Sequence, residues 1–122
     1  MAKKSNEKKP YDLEERTFLF AKNVAIFCKK LPKMSSNTEY IKQVVRSSGS
    51  VGANYIEANE ALGKKDFSMH IKISRKEAKE SAYWLRLINE TNSKDFESEV
   101  SSLLDEAIEL KKIFSSILEK SK

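Results

Sequence analysis

The sequence predicts an all-α protein that folds as an antiparallel, up-down-up-down four-helix bundle. Apolar or small side chains recur at alternating spacings of three and four residues in four successive stretches, and helix breakers separate these stretches. Such spacing places the apolar side chains on one face of each helix, so four faces close on a shared core. The four sets are Leu13, Thr17, Phe20, Val24, Phe27 and Leu31; Ile41, Val44, Ser48, Val51, Tyr55, Ala58 and Leu62; Phe67, Ile71, Ser74, Ala78, Ser81, Leu85 and Ile88; and Phe96, Val100, Leu103, Ala107, Leu110, Phe114 and Ile117.

Helix start and stop signals set the expected boundaries. Asp12 is a capping residue for the first helix, and Ser36 and Glu39 have the spacing of a capping box for the second. Pro32 and Gly63 are placed to end the first and second helices. Because the connections are short, neighbouring helices are expected to run in opposite directions. We therefore expect helices at about residues 12–31, 37–62, 66–91 and 94–119.

Length and composition predict one domain with a basic tail. The chain has 122 residues and a net charge of +5, and residues 1–10 hold four lysines against one glutamate. This tail has little apolar surface to bury, so we expect residues 1–10 to be disordered and residues 11–122 to form the bundle. No apolar run approaches the roughly 20 residues that cross a bilayer, which predicts a cytoplasmic protein without a membrane partner.

Residues with catalytic or metal-binding potential are few. Nucleophilic catalysis needs a base beside the nucleophile, but the chain has one histidine, His70, and one cysteine, Cys28. We expect Cys28 to be a buried thiol. Di-metal sites in bundles use Glu-x-x-His pairs, and no glutamate precedes His70 by three residues. The sequence therefore predicts no catalytic residues, no metal site, no cofactor and no enzymatic function.

A segment rich in small residues, 47–54, has two interpretations. Its serines and glycines resemble a loop that cradles phosphate, but the Gly-Lys-Ser/Thr ending of a P-loop is missing. Ser48 and Gly52, and likewise Gly49 and Ala53, lie four residues apart in helical register. Close packing of the second helix against a neighbour is therefore the favoured interpretation.

Polar residues close to the apolar faces predict a structural network. Arg46 and Asn54 of the second helix are expected to pair with Glu57 or Glu80, and Glu77 lies nearby on the third helix. Such partly buried pairs fix how two helices meet.

The third helix is the basic element of the predicted domain. Four cations each follow a residue of its apolar face by one position, namely Lys72, Arg75, Lys79 and Arg86, and Lys76 lies nearby. These five residues suit the phosphates of a nucleic acid. Tyr83 and Trp84 add surfaces on which bases can stack. The alternative is an ordinary solvated helix face, since Glu77 and Glu80 dilute the positive charge.

Two motifs resemble a known family. The segments Gln43–Ser48 and Ser50–Ala58 resemble the Gln-x-x-Arg-x-x-x-Ser-x-x-x-Asn-x-x-Glu-(Ala/Gly) signature of the "four helix bundle protein" family, also called the 23S ribosomal RNA intervening-sequence protein family. Phe67 and the run Lys76–Leu87 resemble its third helix. At the level of helix order the resemblance covers about residues 12–118.

The resemblance implies a left-handed antiparallel bundle that assembles into a ring-like homopentamer. A similar bundle is the accessory protein of diversity-generating retroelements, which binds nucleic acid and a partner reverse transcriptase. No catalytic residues come with the family. The matching polar residues Arg46, Asn54, Glu57 and Glu80 are implied to act in helix packing and subunit contact.

Together these features predict a non-enzymatic, homo-oligomeric bundle that binds RNA or a ribonucleoprotein, with a reverse-transcriptase-like protein as a further possible partner. The alternative is an oligomeric protein adaptor that does not bind nucleic acid. In that case apolar residues outside the core faces would form its interfaces, namely Leu19, Ile26, Ile73 and Trp84.

Overall fold

The computed structural model describes residues 12–122, so the predicted basic tail, residues 1–10, lies outside the described residues. The described chain is all-helical. Its elements are α1 (Leu13–Cys28), α2 (Ser35–Asn59), α3 (Lys64–Thr91), a 3₁₀ turn (Lys94–Phe96) and α4 (Glu97–Lys120). No strand occurs in these residues, and the predicted all-α class is confirmed.

The helices form a bundle in which α3 is the central packing element. It packs extensively on both α2 and α4, whereas α1 packs on α2 and makes a smaller contact with α4. The Asn59 side chain at the end of α2 donates a hydrogen bond to Glu14 at the start of α1, at 3.0 Å. Asn37 at the start of α2 contacts Asn92 just after α3. Each of these contacts joins the end of one helix to the start of its neighbour, as in an antiparallel pair. The left-handed twist of the bundle stays a prediction.

The core contains the apolar faces that the spacing predicted. All six residues of the first predicted set, from Leu13 to Leu31, are buried. In the fourth set, from Phe96 in the 3₁₀ turn to Ile117 in α4, five of the seven residues are buried. Leu62, the last residue of the second predicted set, does not reach the core. Because α2 ends at Asn59, Leu62 lies in the connection to α3, where its side chain is fully exposed. Helical periodicity therefore located the core correctly up to the point where the helix stops.

The helix ends differ from the sequence prediction. Asp12 makes no side-chain cap hydrogen bond, and α2 begins at Ser35 with Met34 at the N-cap position, so the capping box does not form. Gly63 has an extended φ of −150° and precedes α3 instead of closing α2 in a left-handed conformation. The first regular helical bond of α2 runs from Thr38 N–H to Met34 O at 2.9 Å, and no side-chain cap satisfies the amides that precede it.

A pair of asparagine amides joins two connections of the bundle. Asn37 and Asn92 each donate to the other's side-chain oxygen at 2.9 Å. Asn37 also donates to Pro32 O at 2.9 Å, and Asn92 to Ile88 O at 3.0 Å. Asn37 is only 1% exposed, so its polar atoms need these partners. The pair fixes the start of α2 against the end of α3.

The predicted close approach of α2 occurs at Gly52. A Cβ atom added there would lie 2.8 Å from Thr17 Oγ1 and 3.2 Å from Thr17 Cβ, so only glycine lets α1 and α2 pack this closely. Thr17 donates its hydroxyl to Leu13 O at 2.9 Å, which fixes the side chain at this contact. Gly49 has no such neighbour within 4 Å. The favoured helix-packing interpretation of segment 47–54 thus holds at Gly52 and not at Gly49.

Cys28 is a buried thiol, as expected from its position beside the apolar face of α1. Burial raises its pKa to about 11. The thiol is therefore protonated at neutral pH, which disfavours both nucleophilic and metal-ligand chemistry.

We predict that Gly52→Ala destabilises the fold and that Gly49→Ala does not. The new methyl group at position 52 forces Thr17 or α1 to move, at a cost of about 1–3 kcal/mol. At position 49 the substitution meets open space and should stabilise the helix by about 0.5–1 kcal/mol. Urea unfolding followed by circular dichroism measures both values. Equal effects of the two substitutions would contradict the close approach at Gly52.

Candidate nucleic-acid interface

The predicted cations of α3 lie along one exposed side of a single helix. Lys72, Arg75, Lys79 and Arg86 are separated by three, four and seven residues, and Lys76 follows Arg75 directly. The span from Lys72 to Arg86 corresponds to about 21 Å of helix. Arg75 is partly buried and the other four residues are exposed. We call these five residues the α3 basic stripe.

The α3 basic stripe is not neutralised within the described part of the chain. Among residues 12–122, no carboxylate lies within 4.0 Å of the charged nitrogens of these five side chains. Some lysines outside the stripe, such as Lys22 and Lys42, also lack a carboxylate partner in this range, whereas other cations are paired. Arg16 makes two hydrogen bonds to Glu106, at 2.7 and 2.9 Å, which raise its pKa, and Lys30 lies 2.6 Å from Glu99.

An exposed aromatic ring lies within the stripe. Tyr83 follows Lys79 by four residues and precedes Arg86 by three, so it lies on the same side of α3. The residue is 57% exposed. Trp84, by contrast, is partly buried and packs against Tyr40 and Tyr83 with ring centroids 6.1 and 5.1 Å apart. Of the two aromatic residues considered from the sequence, Tyr83 is therefore the one that offers a stacking surface.

A cleft of about 480 Å³ lies where the first turns of α3 meet the last turns of α4. It includes two members of the stripe, Lys72 and Arg75, together with residues of α4 that the sequence did not connect with them. The full lining is Lys64, Ser68, Lys72, Arg75, Ser115, Leu118, Glu119, Ser121 and Lys122. The stripe thus ends in a concave, cation-rich site and not on a flat surface.

The predicted polar network forms in part, between Arg46 and two glutamates of α3. Arg46 Nη2 lies 3.5 Å from Glu77 Oε1 and 3.7 Å from Glu80 Oε1. The Glu77 side chain is 8% exposed, whereas that of Glu80 is 46% exposed. Arg46 therefore supplies the cation that a largely buried carboxylate requires, and its interaction with Glu80 is the more solvated of the two.

Asn54 has a different partner from the one expected. Its side-chain oxygen lies 3.1 Å from His70 Nδ1, and its amide nitrogen donates to Ser50 O at 3.1 Å. His70 Nε2 in turn lies 3.6 Å from Asp66. Asn54 thus joins α2 to the first turns of α3, not to Glu57 or Glu80. The Glu57 side chain is exposed and makes no hydrogen bond or ion pair with residues 12–122.

Small hydroxyl side chains complete the contact between α2 and α3. Ser47 Oγ and Ser81 Oγ are 2.8 Å apart, and Ser74 donates its hydroxyl to Val51 O at 2.9 Å. All three serines are buried. The sequence placed Ser74 and Ser81 on the core face of α3 but gave no sign that their hydroxyl groups would bond across to α2.

Two further observations concern the described residues alone. No three His, Cys, Asp or Glu side chains of residues 12–122 come together as ligands for a metal ion. Within the same range, none of the helices combines the length and apolarity that a bilayer-spanning segment requires.

The described chain is thus a small all-α bundle with one cation-rich, exposed helix face. The family model of the 23S rRNA-intervening sequence protein matches residues 10–116, and the chain belongs to this family. The match covers all four helices except the last residues of α4, which confirms the resemblance carried by the two motifs in α2 and α3.

A solved structure supports the same assignment. The chain is similar to a protein of unknown function from the S23 ribosomal protein family of Bacteroides thetaiotaomicron VPI-5482. The two chains are 30% identical, with a TM-score of 0.75, and the similarity covers 86% of this chain and 96% of the other. No curated protein matches the chain.

We predict that Arg46→Met lowers the free energy of unfolding by about 1–3 kcal/mol, because it leaves the buried Glu77 carboxylate without its cation. The double substitution Arg46→Met, Glu77→Met should recover most of this loss, since it removes both charges. Glu80→Gln is the control and should cost less than about 0.5 kcal/mol, because Glu80 is solvated. Urea unfolding measures all four proteins, and a double variant no more stable than Arg46→Met would contradict the pairing.

Proposed function

We propose that the protein is a non-enzymatic, homo-oligomeric bundle that acts in the cytoplasm and binds RNA, or a ribonucleoprotein, through the α3 basic stripe. The observation that carries this proposal is the grouping of five cations along one side of a single helix, none of which has a carboxylate partner among residues 12–122. Charges that the fold leaves without partners are available to an external polyanion.

The geometry of α3 favours a strand of RNA as that polyanion. The stripe is linear and spans about 21 Å, and its side chains project from a helix packed on both flanks, so a row of phosphates meets cations whose backbone is already ordered. Tyr83 adds a ring on which an unpaired base can stack. Contacts of these two kinds do not read base sequence, so we propose binding of single-stranded RNA with little sequence preference.

Assembly into an oligomer is proposed from a second surface, on α1 and α2. Phe18, Val45 and Ile56 are 60%, 41% and 46% exposed, and they flank the close Thr17–Gly52 contact between the two helices. Large apolar side chains exposed on two adjacent helices indicate a contact with another protein surface. We assign this surface to a second copy of the chain, and the family resemblance suggests a pentamer.

The alternative function is that of a protein adaptor without a nucleic-acid role. Two of the apolar residues considered for it, Leu19 and Ile26, are 40% and 45% exposed on α1, while Ile73 and Trp84 are partly buried. A reverse-transcriptase-like protein is one partner that the resemblance to retroelement accessory proteins suggests. An adaptor of this kind is not expected to bind RNA in a salt-dependent manner. A measurement of salt-dependent RNA binding therefore distinguishes the two proposed functions.

We predict that RNA binding weakens steeply with salt and depends on the stripe. The variant Lys72→Gln, Arg75→Gln, Lys79→Gln, Arg86→Gln should lose at least about tenfold in affinity and show a shallower dependence of log K on log salt, by roughly 0.7 per lost contact with single-stranded RNA. Fluorescence anisotropy with a labelled single-stranded RNA at several salt concentrations measures both quantities.

A control with the same change in net charge tests the location of binding. The substitutions Lys22→Gln, Lys29→Gln, Lys33→Gln and Lys42→Gln remove four exposed lysines from α1, α2 and their connection. This variant should keep most of the affinity. Equal losses in the two variants would contradict binding at the stripe, and no salt-dependent binding of the unmodified protein would favour the adaptor.

We predict that the substitutions Phe18→Asp and Ile56→Asp, made together, convert the oligomer into a folded monomer, because two buried carboxylates are costly in an apolar interface. Light scattering after size exclusion gives the subunit number, and circular dichroism checks the fold. Leu62→Asp is the control, since Leu62 is fully exposed in the connection between α2 and α3 and lies outside this surface. A monomeric unmodified protein at micromolar concentration would contradict the proposed assembly.

A further inference from the structure

The cleft at the start of α3 has a composition suited to a single, highly charged group. Four cationic side chains line it against one carboxylate, that of Glu119. Three of these cations belong to α3, namely Lys64, Lys72 and Arg75. The fourth, Lys122, follows the end of α4. Lys122 Nζ lies 3.4 Å from Glu119, so this pair is partly neutralised and three cations remain without a carboxylate partner in the described residues.

Neutral hydrogen-bond donors add to the charge. Ser68 and Ser115 are partly buried in the cleft walls, one from each helix, and offer hydroxyl groups. Ser121 is already engaged, because it donates its hydroxyl to Ile117 O at 2.7 Å. Cations and hydroxyl groups are donors that proteins use for phosphate.

We propose that this cleft binds the phosphomonoester at an RNA end, with the α3 basic stripe receiving the adjoining nucleotides. A terminal phosphate carries close to two negative charges at pH 7, whereas each internal phosphodiester carries one. A concave site with several cations therefore favours the terminal group, while the open, linear stripe suits the internal ones. Lys72 and Arg75 belong to both, which makes the two surfaces continuous.

This inference rests on the proposed RNA binding and adds a preference for phosphorylated ends. The experiment compares three versions of one short single-stranded RNA, with a 5′-phosphate, with a 3′-phosphate, or with hydroxyl groups at both ends. Anisotropy competition at fixed salt measures their affinities. We expect at least one phosphorylated RNA to bind about tenfold more tightly than the hydroxyl form, as for a charge-assisted set of hydrogen bonds, and the preferred form identifies the end.

Two pairs of substitutions separate the cleft from the stripe. Lys64→Gln with Lys122→Gln changes only the cleft and should abolish the preference while leaving the affinity for the hydroxyl RNA within about twofold. Lys79→Gln with Arg86→Gln changes only the stripe and should weaken all three RNAs while keeping the preference. Retention of the full preference without Lys64 and Lys122 would show that the extra charge acts nonspecifically, and would overturn the assignment.

The outcomes also distinguish this inference from the function on which it rests. If all three RNAs bind equally well, the cleft assignment is wrong and RNA binding by the stripe stands. If none of them binds at low salt, the proposed function is wrong, and the end-recognition role is wrong with it.

Discussion

The close packing of α2 against α3 is the interaction on which the rest of the structure depends. The two hydroxyl contacts, Ser47 with Ser81 at 2.8 Å and Ser74 with Val51 O at 2.9 Å, hold the helices together through small side chains. Arg46 adds a cation at the edge of the same contact, beside Glu77. With α4 packed on its other flank, α3 is held along two sides. The basic side chains that it exposes therefore project from an ordered backbone, and a ligand that binds them does not have to order the helix first.

The sequence could predict the core because burial imposes a period on the chain, and that period survives in residues such as Val24, Val51, Leu85 and Leu110, which are all fully buried. It could not predict the helix ends equally well. Capping depends on differences of about 1 kcal/mol between alternative turns, and tertiary packing can outweigh them. Leu62 shows the consequence, since it continues the period of α2 beyond the residue at which the helix stops.

Only the part of the candidate site that lies on a single helix could be predicted from the sequence. The stripe is a property of α3 alone, and its residues lie on one exposed side as their spacing indicated. Contacts between helices were harder to anticipate. Asn54 pairs with His70 instead of a glutamate, and Asn37 pairs with Asn92, which lies 55 residues away in the sequence. The cleft also needs residues from α3 and α4, and no periodicity indicates which side chains of different helices will meet.

The two proposed surfaces are compatible because they use different helices. The apolar residues assigned to assembly lie on α1 and α2, whereas the stripe and the cleft lie on α3 and α4. Copies of the chain can therefore associate without covering the cations. This separation matters because five cations make a weak, salt-sensitive contact on their own, and linked binding sites raise the effective concentration of each further contact. In the proposed assembly, several copies of the stripe would therefore hold one RNA more tightly than a single stripe could.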